Sequence, residues 1–215
     1  SEFKQDVKNA IKQYKQDRTP IDPTSKKKEP LLSFKRGALV HFAVGENEIY
    51  MTTKLEGEDT SFLPFNKGKD GLSAGNKMPD DGGYPVKYFW EEVLQKDSLM
   101  KVIHNFVHLS RKQEEDESGR FYFKESLIFP RYHQWEAVTN LLSASYKEGP
   151  GQRDLLHHSA GSGKSNSIAW LSHQLANLYK EDKRVFDTII VVTDRRVLDS
   201  QLQETIFQFD HKKGV

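Results

Sequence analysis

The chain has 215 residues, of which 36% are hydrophobic and 29% charged, and it contains no cysteine. This composition is typical of a polar globular protein and excludes disulfides, cysteine-based zinc sites and thiol catalysis. Because the formal net charge is only +1, any nucleic-acid-binding surface must come from local clustering of basic residues.

The sequence carries no sign of a membrane or secretory segment. No apolar run approaches the roughly 20 residues that span a bilayer, and no signal-peptide pattern opens the chain. We therefore expect a cytoplasmic protein. The opening Ser1-Glu2-Phe3 is interpreted as a cloning remnant, which favours a piece of a longer protein. Glu2-Phe3-Lys4 also spells the E-x-K of metal-dependent nucleases, but a vector remnant or helix lead-in explains this short match better.

The first half of the chain is predicted to mix helix and strand. Apolar residues at helical spacing predict a helix over 5–17. Residues 34–44 and 48–54 are rich in strand formers on either side of a turn, which predicts a hairpin. The Gly-, Pro- and Asp-rich residues 56–85 predict a long ordered loop with aromatic anchors in SFLPFN. Helical periodicity returns in YFWEEVLQ and over 98–111.

Two weaker features of this half leave alternatives open. The basic run Lys26-Lys27-Lys28 lies in a predicted loop and is either a solvated loop or a contact to a DNA backbone. His104 and His108 stand at the i, i+4 spacing of some zinc sites on a predicted helix. Since no third ligand is evident, ordinary helix residues are the favoured interpretation.

A change of pattern indicates a domain boundary. The acidic EEDES and Gly119 predict a linker over 113–126 between a first domain, 1–112, and a second, 127–215. In the second domain we predict, in order, the helix HQWEAVTNLLSASYK, the strand RDLLHH, a helix from Lys164 to Tyr179, the buried strand FDTIIVVTD and the helix RVLDSQLQETIFQF. This order predicts a βαβ unit in a parallel sheet.

The strongest motif is HSAGSGKS, residues 158–165. Gly161 and Gly163 permit a tight turn whose backbone N–H groups point at phosphate oxygens. Ser162 lies between them, Lys164 can reach the β- and γ-phosphates of a nucleotide, and the Ser165 hydroxyl can coordinate Mg²⁺. A predicted strand before the loop and a helix after it give the context that a phosphate-binding loop requires.

His158 occupies the position of the first glycine in the general phosphate-loop formula. Many helicase-type loops lack that glycine, so we interpret the departure as a mark of that subclass. His157 and His158 are expected to be packing or loop residues.

A possible base-recognition group lies 30 residues ahead of Lys164. Gln134 has both a donor and an acceptor, as reading the edge of adenine demands, although such a glutamine is also an ordinary helix residue. Tyr132, Arg131 or Phe129 could stack on the base.

The end of the predicted strand TIIVVTD is ambiguous. Asp194 could hold Mg²⁺ through water, as in other phosphate-loop proteins. The adjacent Arg195 and Arg196 suit a nucleic-acid backbone better. Structural ion pairing is the third possibility.

With these residues in view, the chain resembles the restriction subunit of type I restriction–modification enzymes over nearly its whole length. The resemblance is carried, in the family's order, by NAIKQYKQDRTPI, LVHFAVGENEIYMTT, TSFLPFNKG, FPRYHQWEAV, HHSAGSGKSNSIAWLSHQLA and IIVVTDRRVLDSQL. The last three are specific.

The resemblance implies an α/β chain. It would hold the carboxyl-side remainder of a PD-(D/E)xK nuclease-like domain, followed by the first part of a RecA-like parallel-sheet helicase motor lobe. Gln134 would be the adenine-reading glutamine, Gly161 to Ser165 motif I, and VVTDRRVLDSQL motif Ia, with Arg195 and Arg196 along the DNA track. The nuclease acids precede a segment like Gln13-Tyr14 in the family, so we expect them outside this chain, together with motif II, the arginine finger and the second lobe.

The resemblance also implies a function. The whole protein would use ATP and Mg²⁺ to translocate double-stranded DNA while bound to methylase and specificity subunits, and would then cut at a distance. The chain alone is expected at most to bind nucleotide. The alternatives are a phosphate-loop NTP-binding regulator or kinase-like protein without a DNA role, in which Asp194 is the metal acid, and a folded piece with no measurable ligand affinity.

Overall fold

A computed structural model describes residues 6–22, 24–69, 74–194 and 202–207 of the chain. The chain forms two compact units, residues 1–133 and 134–215, and each is described by itself. None of the helices in the described ranges combines the length and apolar character that a bilayer crossing demands.

The first unit opens with helix α1, Val7–Gln16, whose first turn is capped by the Asp6 carboxylate. A three-stranded antiparallel sheet follows, with strands β1 (His41–Val44), β2 (Ile49–Thr52) and β3 (Leu63–Pro64) in that order. The predicted first helix and hairpin are thus confirmed, although the strands are shorter than expected. His41 pairs with Thr52 and Val44 with Ile49.

An aromatic cluster forms the core of the first unit. The Phe42 ring lies 5.2 Å from that of Phe65, 4.7 Å from that of Phe89 and 5.8 Å from that of Phe129, all edge-on. Phe65, from the SFLPFN segment, is 1% exposed, so the expected aromatic anchoring of the 56–85 loop is confirmed. Edge-on ring packing of this kind stabilises a core beyond its buried area.

The rest of the first unit departs from the sequence prediction at one helix. A π-helical turn spans Phe89–Val93, and helix α2, Lys96–Asn105, ends well before residue 111. Strands β4 (His108–Glu115) and β5 (Phe121–Ile128) instead form an antiparallel hairpin with eight paired positions. The ladder pairs the backbone groups that face each other across the two strands, and this pairing outweighs the helical spacing of the apolar residues.

The hairpin also occupies most of residues 113–126, which were expected to be a linker. Its turn is held by the Asp116 carboxylate, which accepts the backbone N–H groups of Ser118 at 2.9 Å and Arg120 at 3.0 Å. Gly119 adopts a φ of +79° there, a conformation that favours glycine. The acidic run is therefore turn chemistry within a hairpin.

The second unit is built around two helices. Helix α3 spans Tyr132–Glu148 and helix α4 Lys164–Ala176, followed by the short antiparallel strands β6 (Tyr179–Lys180) and β7 (Lys183–Arg184). Residues 202–207 are helical. Val138 of α3 and Ala169 and Trp170 of α4 are each 0% exposed, so both helices contribute to the buried interior.

Two predicted strands of this unit are not strands in the structure. Residues 153–158 and 186–194 have no regular hydrogen-bonded pairing, and Leu155, Ile190 and Val192 are 93%, 80% and 87% exposed. An apolar run becomes a strand only when a neighbouring strand satisfies its backbone. Among the described residues of this unit, β6 and β7 pair only with each other, and the expected parallel sheet is not formed there.

The buried His41 predicts a pH dependence of stability. Burial lowers the pKa of His41 below its usual value, so the unfolded chain takes up a proton below about pH 6.5 that the folded chain resists. Stability should therefore be full above that pH and fall as the pH drops below it. We expect His41→Phe, which keeps an aromatic ring beside Tyr14, to flatten this loss, measured as urea unfolding midpoints across about pH 5 to 7. An unchanged slope in the variant would show that His41 does not drive the effect.

Candidate functional site

The candidate site is the loop that leads into helix α4. Gly161 has a φ of +73° and Gly163, the residue that precedes the helix, a φ of +81° and ψ of +34°. Both lie in the left-handed region, which residues with a Cβ adopt at a cost. The two glycines that the motif predicted for a tight turn therefore make that turn.

Gln134, near the start of helix α3, contacts this loop directly. Its side chain is buried, at 3% exposure, and its Nε2 donates a hydrogen bond to the Gly163 carbonyl oxygen at 2.9 Å. A Cβ added at Gly163 would lie 2.4 Å from the same Nε2, so the Gln134 amide would have to move away from the Gly163 carbonyl. Glycine at 163 therefore suits both the backbone angles and the hydrogen bond from Gln134.

Sequence reasoning gave Gln134 a role toward the base and did not foresee this contact with the loop backbone. The two residues are 29 positions apart, and no periodicity joins them. What did identify Gln134 was its position just ahead of a phosphate-loop motif.

The loop presents unused backbone donors at the start of α4. Among the described residues, no acceptor lies within hydrogen-bond range of the N–H groups of Gly161, Gly163, Lys164 and Ser165. The Gly163 carbonyl, by contrast, accepts from the N–H groups of Asn166 at 3.1 Å and Ser167 at 3.4 Å. A helix start with free N–H groups favours an anion through those donors and through the helix dipole.

Lys164 is folded back over the loop. Its Nζ donates to the carbonyl oxygens of Ser159 at 2.8 Å and His158 at 3.2 Å. The ammonium group is therefore held on the inner side of the turn by hydrogen bonds alone, and no ion pair within 4 Å holds it in the described part of the chain. Such a cation can transfer to a phosphate oxygen without breaking a salt bridge.

The remaining loop residues differ in burial. Ser162 is buried at 7% exposure, and Ser165 is half-buried in the first turn of α4. His158 is also half-buried, and its burial, followed by electrostatic interaction with Lys164 and His157, lowers the pKa of its imidazole. His158 is accordingly neutral near pH 7 and adds no second cation to the loop.

Tyr132 lies in a different setting from the one expected of a base-stacking residue. Its ring is 1% exposed and packs edge-on against Tyr88 at 4.8 Å and Phe65 at 5.9 Å. Its hydroxyl donates to the Glu92 carboxylate at 3.0 Å. The aromatic cluster would have to open before a base could stack on this ring. The same holds for Phe129, which is 6% exposed and packs against Phe42 and Phe65.

Other predicted residues fall outside the site or outside the described residues. Arg195 and Arg196, expected along a DNA track, lie outside the described residues, as does the Glu2-Phe3-Lys4 match. Asp194 is exposed, as are the lysines of the basic run at 26–28.

The two histidines at zinc-like spacing do not share a helix. His104 lies in the last turn of α2, with its Nδ1 2.7 Å from the Asn105 side-chain oxygen. His108 begins β4, with its Nδ1 3.0 Å from the Phe106 carbonyl oxygen. Within the described residues no group of three His, Cys, Asp or Glu side chains is placed to hold a metal ion.

Comparison with known proteins gives a consistent picture. A family model described as SWI2/SNF2 ATPase matches residues 133–215. A putative type I restriction enzyme MjaVIIIP endonuclease subunit of Methanocaldococcus jannaschii is 28% identical over 179 residues, which cover 78% of this chain and 15% of that protein. The type I restriction enzyme HindI endonuclease subunit of Haemophilus influenzae is 31% identical over 113 residues, 53% of this chain and 10% of that protein. No solved structure matches the chain.

These relatives confirm the resemblance carried by the sequence motifs. The match spans only about a tenth to a seventh of each relative's length. The family match begins one residue before Gln134 and includes the whole glycine loop, so the candidate site lies in the part of the chain that resembles an ATPase.

The contact between Gln134 and Gly163 predicts a specific coupling between substitutions. Gly163→Ala should destabilise the chain by about 1–2 kcal/mol for the left-handed backbone alone, and by more because its Cβ meets Gln134. Gln134→Ala should relieve that second part. A double-mutant cycle by urea unfolding should therefore show a favourable coupling of at least about 0.5 kcal/mol.

Gly161 provides the matched control for that cycle. It has the same backbone strain, but a Cβ there would meet nothing within 4 Å. Gly161→Ala and Gln134→Ala should consequently be additive. Equal coupling in the two cycles would mean that the contact with Gln134 does not explain the glycine at 163.

Proposed function

Because the chain is related to the endonuclease subunits of type I restriction enzymes, we propose that it is a piece of the subunit that moves DNA at the cost of ATP. We further propose that its second unit binds ATP with Mg²⁺ through the 158–165 loop. The observation that carries the proposal is the loop geometry. Free backbone donors at the start of α4, two left-handed glycines and an unpaired Lys164 ammonium lie together, in the part of the chain that matches an ATPase family.

Each loop residue has a defined role in this proposal. The N–H groups of Gly161, Gly163, Lys164 and Ser165 donate to phosphate oxygens, and Lys164 exchanges its two carbonyl acceptors for the terminal phosphates. The Ser165 hydroxyl, in the first turn of α4, is proposed to be a Mg²⁺ ligand. Bound Mg²⁺ would neutralise part of the phosphate charge. The Ser165 hydroxyl would hold the ion but cannot supply that charge itself.

The fit of these residues to a nucleotide rests on the donor set. The loop offers hydrogen-bond donors and one cation, both of which attract a triphosphate. It contains no carboxylate that would repel one. Gln134 would hold the loop through Gly163, and adenine recognition by the same amide is retained as part of the proposal. Ser162, buried behind the turn, is assigned to shaping the loop.

The proposal extends to DNA and to protein partners by way of the relatives. Their endonuclease activity is stated in their names, so we propose that the whole protein acts on double-stranded DNA in a complex with methylase and specificity subunits, in the cytoplasm. Arg195 and Arg196 are proposed to contact the DNA backbone. Residues 1–112 are proposed to be the remainder of a nuclease-like domain, and residues 127–215 the beginning of a RecA-like motor lobe.

The same relatives favour a DNA motor over the alternative of a regulator or kinase-like protein without a DNA role. In that alternative Asp194 would supply the metal acid. The specific point against it is the combination of a family match to SWI2/SNF2 ATPases over 133–215 with relatives that are restriction endonuclease subunits.

Lys164→Ala tests the nucleotide site. We expect it to weaken binding of Mg²⁺-ATP to the chain at least tenfold, because a charge-assisted contact to phosphate is lost. Isothermal titration calorimetry on the 215-residue chain measures the effect. Lys8→Ala, an exposed lysine on α1, is the matched control and should bind as the parent does. Equal affinity of the parent, Lys164→Ala and Lys8→Ala chains would contradict the assigned site.

The chain by itself is also expected to bind nucleotide without turning it over. Hydrolysis by phosphate-loop ATPases also requires a group that orients the attacking water and an arginine finger, and we propose no residue of this chain for either role. Phosphate release and cleavage of plasmid DNA should both stay at the level of a protein-free blank. Robust ATP turnover that disappears in Lys164→Ala would overturn this expectation and would mean that the catalytic set is complete here.

A further inference from the structure

A second feature of the second unit lies outside the glycine loop. The end of helix α3 and the β6–β7 hairpin border an open cleft of about 290 Å³. Its charged and aromatic lining consists of Tyr146, Lys147, Glu148, Lys180, Glu181, Lys183 and Arg184. We call these residues the hairpin cleft. None of them belongs to the phosphate loop or has a role in the function proposed above.

The hairpin cleft has an excess of positive charge. Four cationic side chains line it against two carboxylates, those of Glu148 and Glu181. In the described part of the chain none of the four cations forms an ion pair within 4 Å. Two more carboxylates, Asp182 in the hairpin turn and Asp187 near Arg184, do not line the cleft, so the excess of positive charge is confined to the lining itself.

Two of the cations are held by aromatic rings instead. The Lys180 ammonium lies 5.5 Å from the centre of the Tyr146 ring, and the Arg184 guanidinium lies 5.8 Å from that of Tyr179. Arg184 also donates from Nε to the Tyr179 hydroxyl oxygen at 2.9 Å. Contact with a ring orients a cation without neutralising it, so the positive charge stays available to an anion.

The hairpin that carries these residues breaks the local rules of strand pairing. Lys180 stands directly opposite Lys183 in the ladder, where like charges destabilise the pair. The two residues of its turn, Glu181 and Asp182, have φ values of +49° and +63°. A two-residue turn with both φ values positive is ordinarily built from Asn and Gly. The Glu181-Asp182 turn and the Lys180–Lys183 pair should therefore each lower the stability of the hairpin.

An anion between the two lysines would resolve this conflict. Repulsion between opposed ammonium groups becomes attraction when both donate to one phosphate, and neighbouring tyrosine hydroxyls are common additional donors to phosphate. Local choices that are unfavourable for folding, gathered at one solvent-exposed cleft, are the usual mark of a binding site.

We propose that the hairpin cleft binds phosphate groups of a DNA backbone, with Lys180 and Lys183 as its principal contacts. Its cations can bind phosphate groups of the backbone, but they do not form an ordered set of donors and acceptors that would recognise a particular base. Binding of a phosphate group follows from the cleft alone, whereas DNA as its source rests on the proposed function.

The test is binding of a short fluorescein-labelled DNA duplex to the 215-residue chain by fluorescence anisotropy over a range of NaCl concentrations. Lys180→Gln combined with Lys183→Gln should raise the Kd and reduce the slope of log Kd against log salt concentration by about 1.8, the value for two lost phosphate contacts. Lys8→Gln with Lys12→Gln, on exposed positions of α1, makes the same charge change and should leave the slope as in the parent. Equal slopes in the two double variants would overturn the proposal.

A stability measurement separates binding from a structural role. Because the opposed lysines repel each other, Lys183→Gln should unfold at the same urea concentration as the parent or a higher one, while binding DNA more weakly. A variant that loses stability and DNA binding together would show that the residue only maintains the fold. Such a result would contradict the proposal.

Inorganic phosphate, titrated at constant ionic strength, distinguishes the two sources of phosphate. We expect it to compete only weakly with the duplex, since a single phosphate replaces one of several contacts. If it displaces the duplex at low concentration, and only when both lysines are present, the cleft takes free phosphate and the DNA assignment is wrong. The nucleotide site is tested separately, by ATP binding to the parent chain and its loss in Lys164→Ala. A negative result at the hairpin cleft can therefore be told apart from a negative result at the nucleotide site.

Discussion

The candidate nucleotide site depends on one hydrogen bond, from the Gln134 side-chain amide to the Gly163 carbonyl oxygen at 2.9 Å. Gly163 precedes the first residue of α4 and sets where the helix begins. Its carbonyl accepts from the N–H groups of Asn166 and Ser167, the third and fourth residues of the helix, as well as from the Gln134 amide. The N–H groups of the loop are left to point elsewhere, and these are the donors that an anion would use.

The histidine that stands where the general motif has glycine lies outside this constraint. The close approach occurs at Gly163, where an added Cβ would meet Gln134 at 2.4 Å. His158 is half-buried, and burial lowers the pKa of its imidazole, so it remains neutral beside Lys164. The chain thus has glycine at 163, where the close contact occurs, and lacks it only at 158.

Sequence reasoning succeeded where a short motif contains its own geometry. The spacing of Gly161, Gly163 and Lys164 predicts a turn at a helix start, and the structure has that turn. It failed where a strand depends on a partner that its own spacing does not reveal. The helix predicted over 98–111 ends at Asn105, and the residues from His108 onward pair with β5. The apolar run at 186–194 is typical of a buried strand yet has no pairing among the described residues. Tyr132 shows the same limit, because burial in an aromatic cluster follows from packing and not from its place beside Gln134.

The two proposed phosphate contacts of the second unit differ in their physical basis. The glycine loop uses oriented backbone donors and a single lysine, so its binding should depend on the shape of the ligand and on Mg²⁺. The hairpin cleft uses lysine side chains that repel each other in the free chain, so its binding should depend chiefly on salt concentration. One unit can therefore hold a nucleotide and a polyanion by mechanisms that respond to different conditions.

The most direct test of the nucleotide site is to measure hydrogen–deuterium exchange at the loop amides by NMR, with and without Mg²⁺-ATP. The N–H groups of Gly161, Gly163, Lys164 and Ser165 have no acceptor among the described residues, so they should exchange rapidly in the free chain. Mg²⁺-ATP should slow their exchange strongly while leaving the amides of the β4–β5 hairpin unchanged. Loop amides that are already protected without nucleotide, or that stay unprotected at saturating Mg²⁺-ATP, would contradict the account.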